Sequence, residues 1–76
     1  MIKFKIKVML AVREMTQRQL ADATGIRLPT ISDLCNNKNV KFVSLEALNS
    51  MCKVLDCQLN DIMEYRPDII TEREIH

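Results

Sequence analysis

Apolar residues follow two different spacings in the first part of this chain. Ile2, Phe4 and Ile6 alternate with lysines, and this period of two is typical of a β-strand. From Ile6 onward the apolar residues recur every three or four positions, as on one face of a helix. We therefore predict a short strand at about residues 2–4, followed by a first helix that ends at about Glu14.

A second helix is predicted from a pair of capping residues. Thr16 is a good N-cap, and Gln19 stands three residues later, where it completes a capping box. The helix should extend to about Ala23. Gly25 follows at the position where a left-handed residue commonly ends a helix.

A third helix is predicted to start near a proline. Pro29 suits the first turn of a helix, because the N–H that it lacks would have no partner there. We expect this helix to end at about Cys35. The pair Asn36-Asn37 follows, and asparagine tolerates the left-handed conformation well enough to replace a terminating glycine.

Two more helices are predicted toward the carboxyl terminus. Ser44 would cap the fourth helix, and a turn at residues 56–58 would separate it from a short fifth helix that ends at Arg66-Pro67. The expected core positions of these helices are Leu45, Leu48, Cys52, Leu55, Leu59, Ile62 and Met63. The tail contains Ile69-Ile70 and is interpreted either as a second strand, paired with the first, or as a frayed end.

The length and composition indicate one helical domain. A chain of 76 residues has room for one modest core, so residues 1–76 are taken as a single unit, with a core at about 6–66 and a tail at 67–76. The hydrophobic fraction is 47%, and the chain has one glycine and three aromatic residues. This composition favours a mostly helical chain. Together with the predicted elements it gives an all-α fold of five helices, with a short strand at the amino terminus and the tail as the candidate second strand.

Charge is distributed unevenly along the chain. Residues 1–41 carry eight lysines and arginines against three acids, whereas residues 42–76 carry three against seven. The basic half suits a polyanion, and the acidic half would keep the other face away from it. Ordinary scatter of surface charge is the alternative reading. Lys3, Lys5 and Lys7 are interpreted first as a solvated strand face or as edge charges that discourage aggregation, and a phosphate contact is left open as the other interpretation.

Other classes of protein are disfavoured. Three cysteines without a CxxC spacing and a single histidine, His76, give no ligand set for zinc, so the cysteines are interpreted as reduced thiols and no cofactor or metal is expected. No nucleophile and base are paired, which argues against an enzyme. No apolar run approaches the ~20 residues that cross a membrane, and the start is unlike a signal peptide, so we expect a cytoplasmic protein.

The second and third helices carry the pattern of a helix-turn-helix. Two short helices that meet at a steep angle need a small residue where they cross, and Ala21 supplies it. The turn needs a residue that adopts positive φ easily, which is Gly25. The apolar positions predicted to join the helices are Leu20, Ile26, Ile31 and Leu34.

The pattern Thr-Gln-x-x-Leu-Ala-x-x-x-Gly-Ile-x-x-x-x-Ile-Ser-x-Leu over residues 16–34 resembles the helix-turn-helix of the phage Cro and repressor family, also called XRE-type regulators. The leucines of residues 45–55 and the segment 57–62 are similar to the fourth and fifth helices of that domain. The resemblance covers about residues 6–66. It implies a compact, repressor-like fold of five helices.

The resemblance also implies a set of DNA-binding residues. Gln17, at the start of the second helix, would hold the DNA backbone. The third helix, at about residues 28–35, would lie in the major groove, and the chain after it would follow the backbone. The positions expected on bases or phosphates are Arg27, Leu28, Pro29, Thr30, Ser32, Asp33, Asn37, Lys38 and Lys41.

Four of these positions depart from the pattern of the family. Leu28 and Pro29 stand where many relatives have polar residues, so they could contact only thymine methyl groups. Asp33 would repel phosphate. Asn37 replaces a glycine that is common after the third helix.

Two functions follow from these observations. The first is a transcriptional regulator, most simply a repressor, that binds double-stranded DNA in a sequence-specific way as a homodimer on paired half-sites about 34 Å apart. The alternative is a helix-turn-helix module that binds another protein, as an antitoxin, antirepressor or inhibitor does.

Overall fold

Capping side chains and left-handed residues set the helix boundaries in the computed structural model, which describes residues 1–38 and 40–67. Within these residues the chain forms five helices and two strands. In chain order they are β1 (Ile2–Phe4), α1 (Ile6–Val12), α2 (Gln17–Thr24), α3 (Leu28–Asn36), α4 (Leu45–Leu55), α5 (Leu59–Ile62) and β2 (Met63–Tyr65). The prediction of a mostly helical, five-helix fold is confirmed.

The predicted caps are formed. The Thr16 hydroxyl accepts a hydrogen bond from the Gln19 N–H at 3.0 Å, and the Gln19 side chain accepts one from the Thr16 N–H at 2.8 Å. Ser44 caps α4 in the same way by accepting from the N–H of Ala47 at 3.0 Å. Gly25 ends α2 at φ 78°. These bonds satisfy N–H groups that a helix end otherwise leaves without a partner.

The two strands form an antiparallel ribbon, and the second strand lies at Met63–Tyr65, directly after α5. Ile2 is opposite Tyr65 and Phe4 is opposite Met63. We expected α5 to include Met63 and to end only at Arg66-Pro67, but Met63 is already extended, at φ −151° and ψ 156°. The helix ends there because the following residues pair with β1. The backbone hydrogen bonds of this antiparallel pair replace those of another helical turn. Residues 69 and 70, for which a second strand and a frayed end were the two alternatives, lie outside the described residues.

The core is an apolar cluster to which all five helices and β1 contribute. Its fully buried side chains are Ile6, Leu20, Ile31, Leu34, Met51, Leu55 and Ile62. Two expectations for α4 were wrong: Leu45 is 82% exposed, and the buried position is Met51 rather than its half-buried neighbour Cys52. Leu45 is the first residue of α4, and it borders an open groove with Leu59 of α5 instead of entering the core.

No helix among the described residues is both long enough and apolar enough to cross a membrane.

Candidate nucleic-acid interface

Helices α2 and α3 pack together around a small residue and a left-handed turn. Ala21 and Leu20 of α2 are buried, and Ile31 of α3 is fully buried. The Thr24 hydroxyl donates to the Leu20 carbonyl at 2.7 Å and accepts from the Ile26 N–H at 3.2 Å. Thr24 therefore stabilises the turn by bonding the backbone on both sides of Gly25. The sequence pattern did not reveal this role.

One face of α3 is free of contacts with the core. Pro29, Thr30 and Asp33 are exposed on it, and Ser32 is half-buried. Leu28 differs from the others because it is half-buried and packs against the apolar core. The unusual apolar start of α3 is thus partly explained by packing.

The exposed face of α3 forms one wall of a groove of about 690 Å³, which we call the recognition groove. The opposite wall is the segment of residues 40–43, which connects α3 to α4. The groove brings together five of the predicted residues: Arg27, Thr30, Asp33, Lys38 and Lys41. Four of the five carry a charge, and three of those charges are positive. A negatively charged ligand is therefore favoured along this groove.

Gln17 occupies the predicted place at the beginning of α2, as its first residue, and its side chain is half-buried. It does not line the recognition groove. The N–H groups of a first helical turn point away from the helix body, so this end of α2 suits an anion. The position is consistent with a contact to a DNA phosphate.

Asn37 is exposed, but its side chain is hydrogen-bonded to the backbone of β1. It ends α3 at φ 53°, in the left-handed region. Its amide oxygen accepts from the Phe4 N–H at 2.7 Å, and its amide nitrogen donates to the Phe4 carbonyl at 3.1 Å. The side chain therefore bonds both backbone groups of Phe4, as a residue of a paired strand would, and it joins β1 to the end of α3.

The structure brings Lys7 to the carboxyl end of α3. The Lys7 ammonium donates to the Asn36 side-chain oxygen at 3.3 Å, and the Asn36 amide is 3.5 Å from the Ser32 hydroxyl. The sequence had suggested a solvated strand face for this lysine. Only the tertiary packing of α1 against α3 places its charge beside the exposed face of α3, and no sequence pattern carries that information.

The three cysteines are free thiols. Burial raises the pKa of Cys35, with a smaller opposing effect of the Lys7 charge. Burial, followed by the neighbouring Cys52, raises the pKa of Cys57. The left-handed turn at Asp56 brings Cys57 back toward Cys52, although their spacing had suggested separate faces. Across residues 1–38 and 40–67, no three histidine, cysteine or acidic side chains are grouped as metal ligands.

Helices α2 and α3 are short, cross at a small residue and are joined by a turn with a left-handed glycine. The second of them exposes one face beside a basic groove. These features define a helix-turn-helix domain. A family model for the Cro/C1-type HTH DNA-binding domain matches residues 5–68. The chain belongs to this family, as its resemblance to XRE-type regulators had indicated.

Individual relatives agree with this assignment. The chain is 43% identical over 67 residues to YozG of Bacillus subtilis, an uncharacterized HTH-type transcriptional regulator, and the match covers 88% of this chain and 79% of YozG. A candidate DNA-binding protein of Bacteroides fragilis has a crystal structure that superposes with a TM-score of 0.73 at 33% identity, over 84% of this chain and 100% of the other. The transcriptional regulator VanUg superposes with a TM-score of 0.70 at 31% identity, over 88% of this chain and 87% of VanUg.

Proposed function

We propose that this protein represses transcription by binding a specific site on double-stranded DNA as a homodimer, with α3 in the major groove. The observation that carries the proposal is the exposed face of α3 beside the cations of the recognition groove. A single helix fits the width of a major groove, and base edges there distinguish all four base pairs. Such a partner places the protein in the cytoplasm with the DNA.

The amino-terminal half of α3 would meet the bases. Arg27 can donate to guanine, and the Thr30 hydroxyl can donate or accept at either purine or pyrimidine. Asp33 can accept from the amino group of cytosine. Pro29, exposed between them, offers an apolar contact to a thymine methyl group. Ser32 lies on the side toward Lys7 and is better placed for a phosphate.

The flanks of α3 would hold the DNA backbone. Lys38 and Lys41 line the recognition groove on one side, and Lys7 extends the positive charge beside Asn36. Gln17 adds a contact from the first turn of α2. Phosphate contacts of this kind set affinity and orientation without reading sequence.

A homodimer would supply the specificity that one small domain lacks. Leu45 of α4 and Leu59 of α5 are 82% and 50% exposed, and they border a shallow apolar groove of about 260 Å³ with Leu48 and Cys52. A second copy that covers this surface would bury both leucines and present two α3 helices to neighbouring half-sites. Repression then follows if the occupied site overlaps a promoter, because the bound dimer excludes the polymerase.

Selection of fragments from a random duplex pool tests the proposal. We expect enrichment of a sequence with two related halves whose centres lie about 34 Å, or a multiple of that distance, apart. In transcription reactions on a template that carries this sequence at the promoter, addition of the protein should lower the yield of transcript. Recovery of unrelated fragments, or an unchanged yield, would contradict sequence-specific repression.

A protein-binding role is the second candidate. Asp33 and Pro29 favour it, because a carboxylate on the exposed face of α3 repels phosphate and proline has no polar group for a base. A protein partner predicts that the chain ignores duplex DNA even at low salt.

A further inference from the structure

Phe42 is the most exposed of the large hydrophobic side chains in the described residues. It is 93% exposed, whereas the fully buried side chains of the core lie a short way along the chain on either side. A single exposed apolar residue is common on protein surfaces and would mean little by itself. Its position is informative, because residues 40–43 between α3 and α4 line two grooves and form the ridge between them, and Phe42 lies on this ridge.

Positive charge surrounds this ridge on both sides. Lys41 borders both grooves together with Phe42. The recognition groove adds Arg27 and Lys38, and the second groove, of about 310 Å³ beside β1, adds Lys3. The one acidic side chain among the residues that line the two grooves is Asp33. An apolar ring set among four cations matches a ligand that is anionic and also has apolar faces.

We propose that Phe42 packs its ring against a deoxyribose of the DNA strand whose phosphates Lys38 and Lys41 bind. This inference rests on the proposed function. A DNA strand alternates anionic phosphates with largely apolar sugars, so a ring next to phosphate-binding lysines faces a sugar. A protein surface with an apolar patch would match the ring but not the four surrounding cations. Phe42 would then strengthen binding to any duplex without adding a charge contact.

The salt dependence of binding separates a sugar contact from a phosphate contact. For each phosphate contact, log Kd changes with log salt concentration by about 0.9. Phe42→Ala in the full chain should weaken binding to a fluorescent nonspecific duplex about tenfold at every salt concentration, since covering roughly half of such a ring is worth about one decade in Kd. The salt slope should stay that of the wild type. Lys41→Ala should weaken binding and also lower the slope by about 0.9.

Val12→Ala is the matched control. Val12 is 58% exposed at the end of α1, and the next residue, Arg13, contacts the carbonyls of Leu55 and Asp56. This contact places Val12 near the carboxyl end of α4, whereas the ridge that carries Phe42 adjoins the amino end of α4. The control should bind DNA as the wild type does. Thermal unfolding should be unchanged for Phe42→Ala, because the side chain has so few contacts to lose.

Three results would overturn the inference. If Phe42→Ala binds DNA with wild-type affinity, the ring of Phe42 does not contact the DNA. A salt slope reduced as in Lys41→Ala would show that the substitution acts through charge. A change of sedimentation coefficient with intact DNA binding would assign the ring to a protein interface. If the wild type itself ignores duplex DNA, the proposed function fails, and the role of Phe42 fails with it.

Discussion

Thr30 and Lys38 face the same groove but should affect DNA binding in different ways. Thr30 is an exposed residue within the first turns of α3, where a short hydroxyl can reach one base edge. Lys38 follows the left-handed residue that ends α3, and its N–H is bonded to the Asp33 carbonyl at 3.0 Å. That bond fixes the backbone of Lys38 while its exposed ammonium can reach a phosphate.

Replacing these two side chains separates specificity from affinity. Thr30→Ala should reduce discrimination at one base-pair position by about 1 kcal/mol, the net worth of one neutral hydrogen bond, and leave binding to nonspecific duplex almost unchanged. Lys38→Ala should weaken binding to every sequence by a similar factor. Fluorescence anisotropy with a panel of singly substituted sites measures both effects. An unchanged base preference in Thr30→Ala would remove this residue from the reading face.

Individual side chains were predictable only where local chemistry decides their role. Thr16 and Gly25 act through hydrogen bonds and dihedral angles within a few residues of themselves, and the sequence identified both. Leu28, Asn37 and Lys7 act through contacts with distant parts of the chain. Their packing against the core, β1 and α3 respectively could not be read from neighbouring residues.

At the scale of elements, Asn37 couples α3 to the sheet. Its side chain makes two hydrogen bonds with the backbone of Phe4, which is itself part of the core. The same residue ends α3 in the left-handed conformation. One asparagine thus fixes both the end of the proposed recognition helix and the position of β1 against it.

Substitutions of Asn37 should separate its two roles. Asn37→Ala loses both hydrogen bonds and places an alanine at positive φ, so we expect the free energy of unfolding to fall by about 2–3 kcal/mol. Asn37→Gly loses the same hydrogen bonds but adopts positive φ without strain, so the loss should be smaller, at about 1–2 kcal/mol. Urea denaturation measures both. Equal stabilities for Asn37→Ala and wild type would show that this side chain does not hold β1.

The starts of α2 and α4 and the position of β1 were predicted more successfully than β2, for a physical reason. A capped, amphipathic helix is specified by residues within one or two turns, which is why the starts of α2 and α4 were found. The strand Met63–Tyr65 exists because β1 lies beside it, and its sequence has no pattern of its own. The error in α4 has a similar origin, since Met51 and Cys52 both continue the stripe from Leu48, and only the neighbouring elements decide which is buried.

At the scale of the whole molecule, the exposed apolar residues indicate where two copies of the proposed homodimer would meet. Leu45 and Leu59 lie together across one shallow groove, whereas Val8 is exposed on α1, outside that groove. We infer that the pair at the start of α4 and α5 meets the second copy.

A charge at Leu45 should therefore break the proposed homodimer without unfolding the monomer. Leu45 is 82% exposed and is the first residue of α4, where the helix dipole favours a carboxylate. Leu45→Glu should sediment as a monomer and lose affinity for a two-half site while keeping nonspecific binding. Val8→Glu introduces the same charge in the first turn of α1, at a side chain that is 60% exposed, and should remain a dimer. A dimeric Leu45→Glu would exclude this interface.

The central claim is that the chain binds duplex DNA through the cations around α3, and one measurement tests it most directly. The wild-type protein is titrated against a fluorescent nonspecific duplex at several salt concentrations, with Lys38→Ala in parallel. We predict binding that weakens steeply with salt, by about 0.9 in log Kd per log salt for each phosphate contacted, and a slope lower by about 0.9 for the variant. No binding at low salt, or binding that salt leaves unchanged, would contradict the claim.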